Sequence, residues 1–265
     1  AFVADFGGMG GLGYLSGPGA YAPPDATEYL RIPALAARDG RYVLQVLEPL
    51  EEVVYVDEIK LLAVDHPEGT EVYPNEMMAI GVAPPAFELF CYREPLRPQR
   101  AVDHRGTDVT AALAVEDRQC AGATKIDERF VGYAEEHFVD LDFGNALGAM
   151  AGGQVVLFLQ GWVEYPYSAT SFAAWQAKTP LKAPTIEVWR EGQWAELFRE
   201  VGYPAGLQHT MTVDLTGKLT ADDRRLRIST NMELYWDCIF VTRFLDAAAL
   251  TVQTAAVENG NLHYL

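Results

Sequence analysis

The segment from Met211 to Val241 alternates apolar and polar residues with a period of two, and this pattern constrains the fold more than any other feature of the chain. Leu226 and Ile228, for example, alternate with arginine and serine. Successive side chains of a β-strand point to opposite faces, so the pattern predicts a sheet with one buried and one wetted face. Turn-forming residues at Thr216-Gly217-Lys218 and Ser229-Thr230-Asn231 divide the segment into three strands, and an antiparallel meander is expected.

Shorter runs of the same kind recur along the chain, and they predict an all-β protein. They are Tyr29 to Ile32, Tyr42 to Leu47, Val53 to Val64, Phe87 to Tyr92, Phe138 to Leu141, Gln154 to Val163, Thr185 to Arg190, Trp194 to Phe198 and Ala248 to Thr254. Glu191-Gly192-Gln193 indicates a hairpin. Ser168 to Lys178 is the helix candidate, with Ser168 or Thr170 as its cap. We therefore expect two associated antiparallel β-sandwich lobes of jelly-roll type, with one short helix.

Glycine- and proline-rich stretches and changes in periodicity divide the chain into four segments. Residues 1–25 are rich in glycine and proline and predict an extended arm, residues 26–100 a first sandwich lobe, residues 101–129 a linker with weak periodicity, and residues 130–265 a second lobe. The glycines of the arm are not preceded by a parallel strand or followed by a helix, so a dinucleotide-binding loop is not expected.

The two lobes share an internal echo. Tyr29 to Ile59 and Val213 to Ile239 have the same order of features, including Leu44-Gln45-Val46 against Leu226-Arg227-Ile228, and both end on Tyr-x-Asp-x-Ile. Two explanations are open. The likeness is either an internal repeat of two similar sandwich lobes, or a coincidence among antiparallel strands that use the same residue types.

Composition limits the partners. The 265 residues are 49% hydrophobic and carry a formal net charge of -17, from 37 acidic and 20 basic residues. Phosphate contacts need clustered Lys and Arg, so nucleic acid is not an expected partner. No apolar run reaches the roughly 18 residues of a membrane span.

Cys91, Cys120 and Cys238 form no C-x-x-C motif, which leaves a Cys91 to Cys120 bridge or free thiols as alternatives.

Several motifs resemble a known family. They are Gly11-Leu12-Gly13-Tyr14, Pro18-Gly19, Leu50-Glu51-Glu52-Val53 with Tyr55 and Asp57, Leu62 to Pro67, Glu71 to Glu76, Gly161-Trp162, Asp214 to Lys218, and Thr230-Asn231 with Tyr235-Trp236-Asp237. Together they resemble the C-terminal module that follows FG-GAP propeller repeats in secreted bacterial proteins of the cartilage-acidic-protein and ASPIC/UnbV type. The closing strand also resembles that of galactose-binding-like jelly rolls. The first resemblance implies an exported, non-enzymatic interaction module in the periplasm, at the cell surface or outside the cell. The family's propeller calcium motif does not occur here, so that function does not transfer.

Catalytic patterns are weak in this chain. There is no Gly-x-Ser-x-Gly, and the five histidines are scattered without a neighbouring nucleophile. Asp65-His66-Pro67-Glu68 and Asp103-His104 with Asp108 group metal-ligand side chains, but such clusters usually lie on solvated loops. We therefore assign no catalytic residue, no metal site and no cofactor, and we expect that the protein is not an enzyme.

The chain starts at Ala1 without a leader, so it is expected to be processed or part of a longer protein.

Two surfaces remain as binding candidates. The first is the extended arm, whose Phe2, Phe6 and Tyr14 are expected to contact protein subunits of a larger assembly, because so little core lies near them. The alternative is carbohydrate recognition, within or outside a glycan-degrading enzyme, by aromatic residues at the end of the most apolar strand and after it. These are Trp162, Tyr165, Tyr167 and Trp175. The sequence thus predicts a non-catalytic binding or structural subunit, with glycans as the alternative partner.

Overall fold

The computed structural model describes residues 1–8, 27–32, 34–47, 58–75, 89–164, 166–204, 206, 208–245, 249–261 and 263. Their strands are β1 Phe2–Gly8, β2 Thr27–Ile32, β3 Lys60–Asp65, β4 Glu71–Pro74, β5 Leu89–Leu96, β6 Arg100–Asp103, β7 Ala121–Gly122, β8 Tyr133–Asp142, β9 Val155–Glu164, β10 Thr185–Arg190, β11 Gln193–Phe198, β12 His209–Asp214, β13 Arg225–Phe244 and β14 Thr251–Ala255. Two α-helices, α1 Asn145–Gly148 and α2 Ser168–Gln176, and a 3-10 turn at Ala111–Leu113 accompany them.

The strands form two antiparallel sheets, which confirms the predicted all-β sandwich. The four-stranded sheet has the order β14-β3-β1-β2. In the ten-stranded sheet the main path is β11-β10-β13-β5-β4, and β12, β9, β8, β6 and β7 join it at its sides. Helix α2 matches the predicted helix, although no side chain caps it, and α1 was not expected. None of the described helices is long and apolar enough to cross a membrane.

Strand β13 runs without a break for 20 residues, so the predicted three-stranded meander is wrong. The Thr216-Gly217-Lys218 turn is present, but β12 pairs with β9 and not with β13. No turn occurs at Ser229-Thr230-Asn231. Thr230 Oγ1 instead donates to Lys182 O at 2.7 Å, and Asn231 Oδ1 accepts from Lys182 N at 2.7 Å. The two side chains form hydrogen bonds with the main chain of a neighbouring segment. They are therefore not used to close a local turn, and the strand continues through them.

Two buried clusters include residues of β13, and a third lies between the two sheets. The largest includes Leu226 and Ile228, as their alternation predicted. The second is aromatic: Phe158 and Phe240 stack with ring centroids 4.2 Å apart, and Tyr73, Phe90 and Tyr92 pack against them. The third joins the two sheets, because Val3, Tyr29, Leu62 and Val64 of the four-stranded sheet contact Val72 of β4 and Cys91 of β5. The β4–β5 pair therefore lies between two apolar layers.

The sheets cross the predicted domain boundaries. Strands β4 and β5 come from the predicted first lobe but belong to the sheet of β13, whereas β14 closes the four-stranded sheet from the other end of the chain. Strand β7 and all but the first residue of β6 lie inside the expected linker. The buried carboxylate of Asp237 also accepts the backbone N–H groups of Asp117 and Arg118. Residues 101–129 are thus part of the ten-stranded sheet and its edges.

The structure corrects two further predictions and decides between the two alternatives for the cysteines. Residues Phe2–Gly8 form an interior strand, because β1 pairs with β2 on one side and β3 on the other, and they are not an extended arm. Tyr42 to Leu47 form no strand and are exposed, so the likeness of Leu44-Gln45-Val46 to Leu226-Arg227-Ile228 does not extend to structure, and residues 48–57 of the same segment lie outside the described residues. Cys91, Cys120 and Cys238 are free thiols, so no bridge joins Cys91 to Cys120. The predicted hairpin of β10 and β11 is confirmed.

The interior position of β1 generates a stability prediction. Val3 is 0% exposed in the core between the sheets, whereas Val252 of β14 is 46% exposed. We expect Val3→Ala to lower the free energy of unfolding by about 2 kcal/mol, because it empties a packed site. The same change at Val252 should stay within about 0.5 kcal/mol of the parent protein. Urea unfolding of both variants measures the difference, and equal stabilities would show that β1 is not part of the core.

Candidate binding sites

Helix α2 presents an exposed aromatic surface, here called the α2 aromatic patch: Tyr167, Phe172 and Trp175. These side chains are 56%, 60% and 72% exposed. Phe172 and Trp175 are three residues apart and share one face of the helix, and their rings stack with centroids 5.8 Å apart. Exposed aromatic side chains grouped in this way usually mark an interaction site.

The opposite side of α2 is held to the protein by a small residue. Ala174 is fully buried and packs with Phe130 and Tyr133, with Leu181 at the border of the cluster. The N–H of Thr179 donates to the carbonyl of Ala174 at 2.9 Å, which fixes the end of the helix. Alanine lets the backbone approach the core closely, so the large side chains of this helix point outward. The patch is therefore carried by an anchored element.

The structure divides the aromatic residues predicted for sugar binding between two places. Trp162 of β9 stacks on Tyr235 of β13, with centroids 4.4 Å apart and an angle of 19° between the rings. Trp175 instead stacks on Phe172, and Tyr165 lies outside the described residues. Tyr235 was not among the site residues predicted from the sequence. Its place on the outward face of the alternating β13 segment could have indicated an exposed aromatic side chain. The strand register brings it opposite Trp162.

Carboxylates flank the Trp162–Tyr235 pair. Glu164 and Glu233 are register partners on the same two strands, and the Tyr235 hydroxyl donates to Glu233 Oε1 at 3.2 Å. Burial, followed by the charge of Glu233, raises the pKa of Tyr235 to about 12. A protonated phenol beside two carboxylates offers both a flat apolar face and hydrogen-bonding groups.

Of the three side chains predicted for the arm contact, the structure describes Phe2. Phe2 is half-buried and its ring lies 5.1 Å from that of Tyr42. The backbone of Phe6 belongs to β1, while its side chain and the whole of Tyr14 lie outside the described parts of the chain. The described part of the arm thus serves the four-stranded sheet.

A pocket of about 580 Å³ opens beside β4 and β5, and sequence reasoning gave no sign of it. Tyr73, Tyr92, Cys238 and Phe240, all buried, form its floor. Its charged rim consists of Arg31, Glu71, Arg93, Glu94, Arg97 and Glu116. These residues come from β2, β4, β5 and β13, from the turn after β5 and from the segment after the 3-10 turn, so no local spacing in the sequence indicates the site. Its volume suits a small molecule.

The acidic groups of the pocket floor are held in their neutral forms. Burial, followed by the nearby Glu116 carboxylate, raises the pKa of Tyr73 well above its usual range. Burial and the charge of Glu71 raise the pKa of Tyr92 to about 12. Burial and Glu116 raise the pKa of the Cys238 thiol to about 12. At neutral pH these groups are neutral, so none of them is an ionised nucleophile or a general base.

Two histidines occupy a separate cluster: His104 directly follows β6, and His137 lies on β8. His104 Nε2 lies 3.2 Å from Glu135 Oε1, which also accepts the Thr124 hydroxyl at 2.7 Å. His137 Nδ1 donates to the Glu135 carbonyl at 2.9 Å. Within the described ranges, no three His, Cys, Asp or Glu side chains are placed to share a metal ion. The cluster is a hydrogen-bonded part of the sheet edge.

Comparisons with known protein families, with curated proteins and with solved structures gave no match. The assignment of function therefore depends on the site geometry.

The buried thiol generates a prediction about reactivity. With a pKa of about 12, Cys238 is almost wholly protonated at pH 8, whereas an ordinary cysteine near 8.5 is about one quarter thiolate. We expect iodoacetamide to alkylate native Cys238 about a thousandfold more slowly than the same residue in urea. Peptide mass mapping over time measures both rates. Rapid native alkylation would contradict the assignment of an inert pocket floor.

Histidine burial generates a prediction about pH. Burial lowers the pKa of His137 and of His209, so the unfolded chain takes up protons on these side chains that the folded chain does not. Stability should be complete above about pH 6.5 and fall as the pH drops below it, by up to about 1.4 kcal/mol per pH unit for each histidine. His137→Gln should flatten this slope, and exposed His263→Gln should not. Urea titrations from pH 7.5 to 5 test both, and equal slopes would contradict the burial argument.

Proposed function

We propose that this protein is a non-catalytic binding subunit that recognises a partner protein through the α2 aromatic patch. The observation that carries the proposal is Trp175, which is 72% exposed, stacks on Phe172 and lies on a helix anchored by buried Ala174. Tryptophan and tyrosine are the residues that most often dominate the energy of protein interfaces. Because the helix is fixed, little side-chain or backbone freedom is lost on binding.

Charge indicates the kind of partner. The chain carries a formal net charge of -17, which attracts basic proteins over long range and repels acidic ones. The proposed partner is therefore a basic protein with an apolar cleft that accepts the Trp175 indole. An exported location is part of the same proposal and rests on the motifs that resemble the ASPIC/UnbV-type module.

The neutral pocket floor supports binding over catalysis. An acid-base enzyme tunes a side-chain pKa toward the working pH, whereas the pKa shifts of Tyr73, Tyr92 and Cys238 all lead away from it. These groups contribute shape and hydrogen bonds instead.

Carbohydrate recognition is the second candidate function, and a different aromatic pair favours it. Trp162 and Tyr235 stack almost in parallel beside Glu164 and Glu233. Flat rings match the apolar faces of pyranoses, and carboxylates accept sugar hydroxyls. This proposal keeps Trp162 from the predicted sugar platform and transfers Trp175 to the protein-contact surface.

Variants at the two tryptophans separate the candidates. Trp175→Ala should weaken a reconstituted complex with the partner by about thirtyfold, because truncating a central aromatic residue removes at least ~2 kcal/mol. The partner is first identified by cross-linking in the native source and then titrated as a purified protein. Val257→Ala, at another exposed apolar position, is the control and should leave the affinity unchanged. Both variants should unfold within about 0.5 kcal/mol of the parent.

A glycan array completes this test. Saturable sugar binding that is lost in Trp162→Ala but kept in Trp175→Ala would establish the second function. Unchanged partner affinity in Trp175→Ala would refute the first.

A further inference from the structure

We propose that the pocket beside β4 and β5 binds a compact zwitterion, a small molecule with an ammonium and a carboxylate on an apolar body. This inference goes beyond the proposed partner contact and concerns a different surface. It rests on the pairing of the charged groups around the pocket and on the aromatic floor beneath them.

One cation of the rim is already satisfied within the protein. The Arg31 guanidinium forms an ion pair with Glu71 at 2.7 Å and lies over the Tyr73 ring, 3.8 Å from its centroid. This arrangement places a planar cation between a carboxylate and an aromatic face, which is the chemistry that recognises organic cations. It also neutralises one charge of each sign at the wall of the pocket.

The other two arginines of the rim are oriented by main-chain carbonyls. Arg97 Nε donates to Ala114 O at 2.7 Å, and Arg93 Nη2 donates to Glu68 O at 3.0 Å. Neither guanidinium forms an ion pair within the described residues. Each arginine has five N–H donors, so several remain for a ligand, and their planar geometry matches a carboxylate.

Two carboxylates of the rim balance these cations. Within the described residues neither Glu94 nor Glu116 forms an ion pair with a basic side chain. Glu116 and Arg97 both act on the buried Cys238 thiol, Glu116 raising its pKa and Arg97 lowering it, so charges of opposite sign flank the floor. An anionic ligand would be repelled by Glu116, and a cationic ligand would be repelled by Arg97. A zwitterion satisfies both.

A neutral polar ligand fits this charge pattern less well. Binding removes water from the rim, and a sugar brings no charge of its own to replace that water at Arg97 or Glu116. A zwitterion supplies one charge of each sign, while its apolar body covers Tyr92 and Phe240 on the floor. Charge-assisted hydrogen bonds are about twice as strong as neutral ones, so this match contributes more affinity.

The backbone at the rim supports a functional reading of the pocket. Glu94 has a φ of 56°, a left-handed conformation that is uncommon for a residue other than glycine. It occurs where the pairing of β5 with β13 shifts register between Val241 and Arg243. Such strain is retained where the surrounding structure demands it, and it is concentrated at binding and catalytic sites. The bulge lies between Arg93 and Arg97 in sequence.

The test uses three forms of one probe with the full chain. L-phenylalanine carries both charges, its methyl ester lacks the carboxylate, and N-acetyl-L-phenylalanine lacks the ammonium. In calorimetric titrations we expect L-phenylalanine to bind with a Kd of about 1 mM or below, and each derivative to bind about tenfold more weakly. Glucose, as a neutral polyol, should not bind measurably.

Protein variants assign the two ends of the probe. Arg97→Gln should weaken L-phenylalanine about tenfold and abolish the preference over the methyl ester. Glu116→Gln should abolish the preference over the N-acetyl derivative. Arg100→Gln, which removes the same charge outside the pocket, should change neither preference, and Trp175→Ala should bind like the parent. The comparison of derivatives on the parent protein keeps the test decisive if one variant fails to fold.

Three results would overturn the inference: equal binding of all three probes, binding of glucose in place of L-phenylalanine, or no binding of any probe. The first removes the charge argument and the second makes the pocket a polyol site. None of them bears on the α2 aromatic patch, so the two proposals fail independently.

Discussion

The pairing of strand β13 with five other strands is the constraint on which the rest of the ten-stranded sheet depends. Its first half pairs with β8 and β10, and its second half with β9 and β5, while β7 joins near the middle. The first half alternates buried and half-exposed residues, whereas from Trp236 to Thr242 every residue is buried. A single strand therefore passes from a sheet with one wetted face to one that is covered on both faces. The pocket floor lies in the second part, where Cys238 and Phe240 turn away from the main core.

The wetted face of the first half explains why only some tryptophans are available to partners. Arg225 lies over the ring of Trp189, and Arg227 lies over Trp194 and Phe138 while it binds Asp140 through two hydrogen bonds. Guanidinium groups thus cover the aromatic rings of this face, and the charge of Arg227 is itself paired with Asp140. Trp236 is buried and Trp162 is stacked on Tyr235. Trp175 differs from all of these because most of its indole faces solvent. Among these tryptophans it is therefore the one best placed for the proposed contact with a partner protein.

The period-two pattern was sufficient to predict strands, because burial of one face imposes it locally. It identified β12, the alternating part of β13 and the β10–β11 hairpin. It did not predict which strands pair, since β9 lies between β12 and β13 in the sheet although it precedes both in the chain. It also failed at Thr230 and Asn231, whose side chains satisfy the backbone of Lys182 instead of closing a turn. Residue type indicated hydrogen-bonding capacity there, while tertiary contacts decided its use.

The pocket could not be predicted for a related reason, and its geometry shows what sequence patterns omit. Arg31 and Glu71 are 40 positions apart, and Cys238 lies still further along the chain. They meet because β2 lies against β4 and because β5 carries its bulge beside the second half of β13. The main chains pack closely along the preceding part of β13, because a Cβ on Gly122 would lie 2.1 Å from Leu234 O and one on Gly161 would lie 2.3 Å from Tyr235 O. In the pocket the rings of Tyr73, Tyr92 and Phe240 pack on one another, and a floor that is already packed loses little conformational freedom when it binds a small molecule.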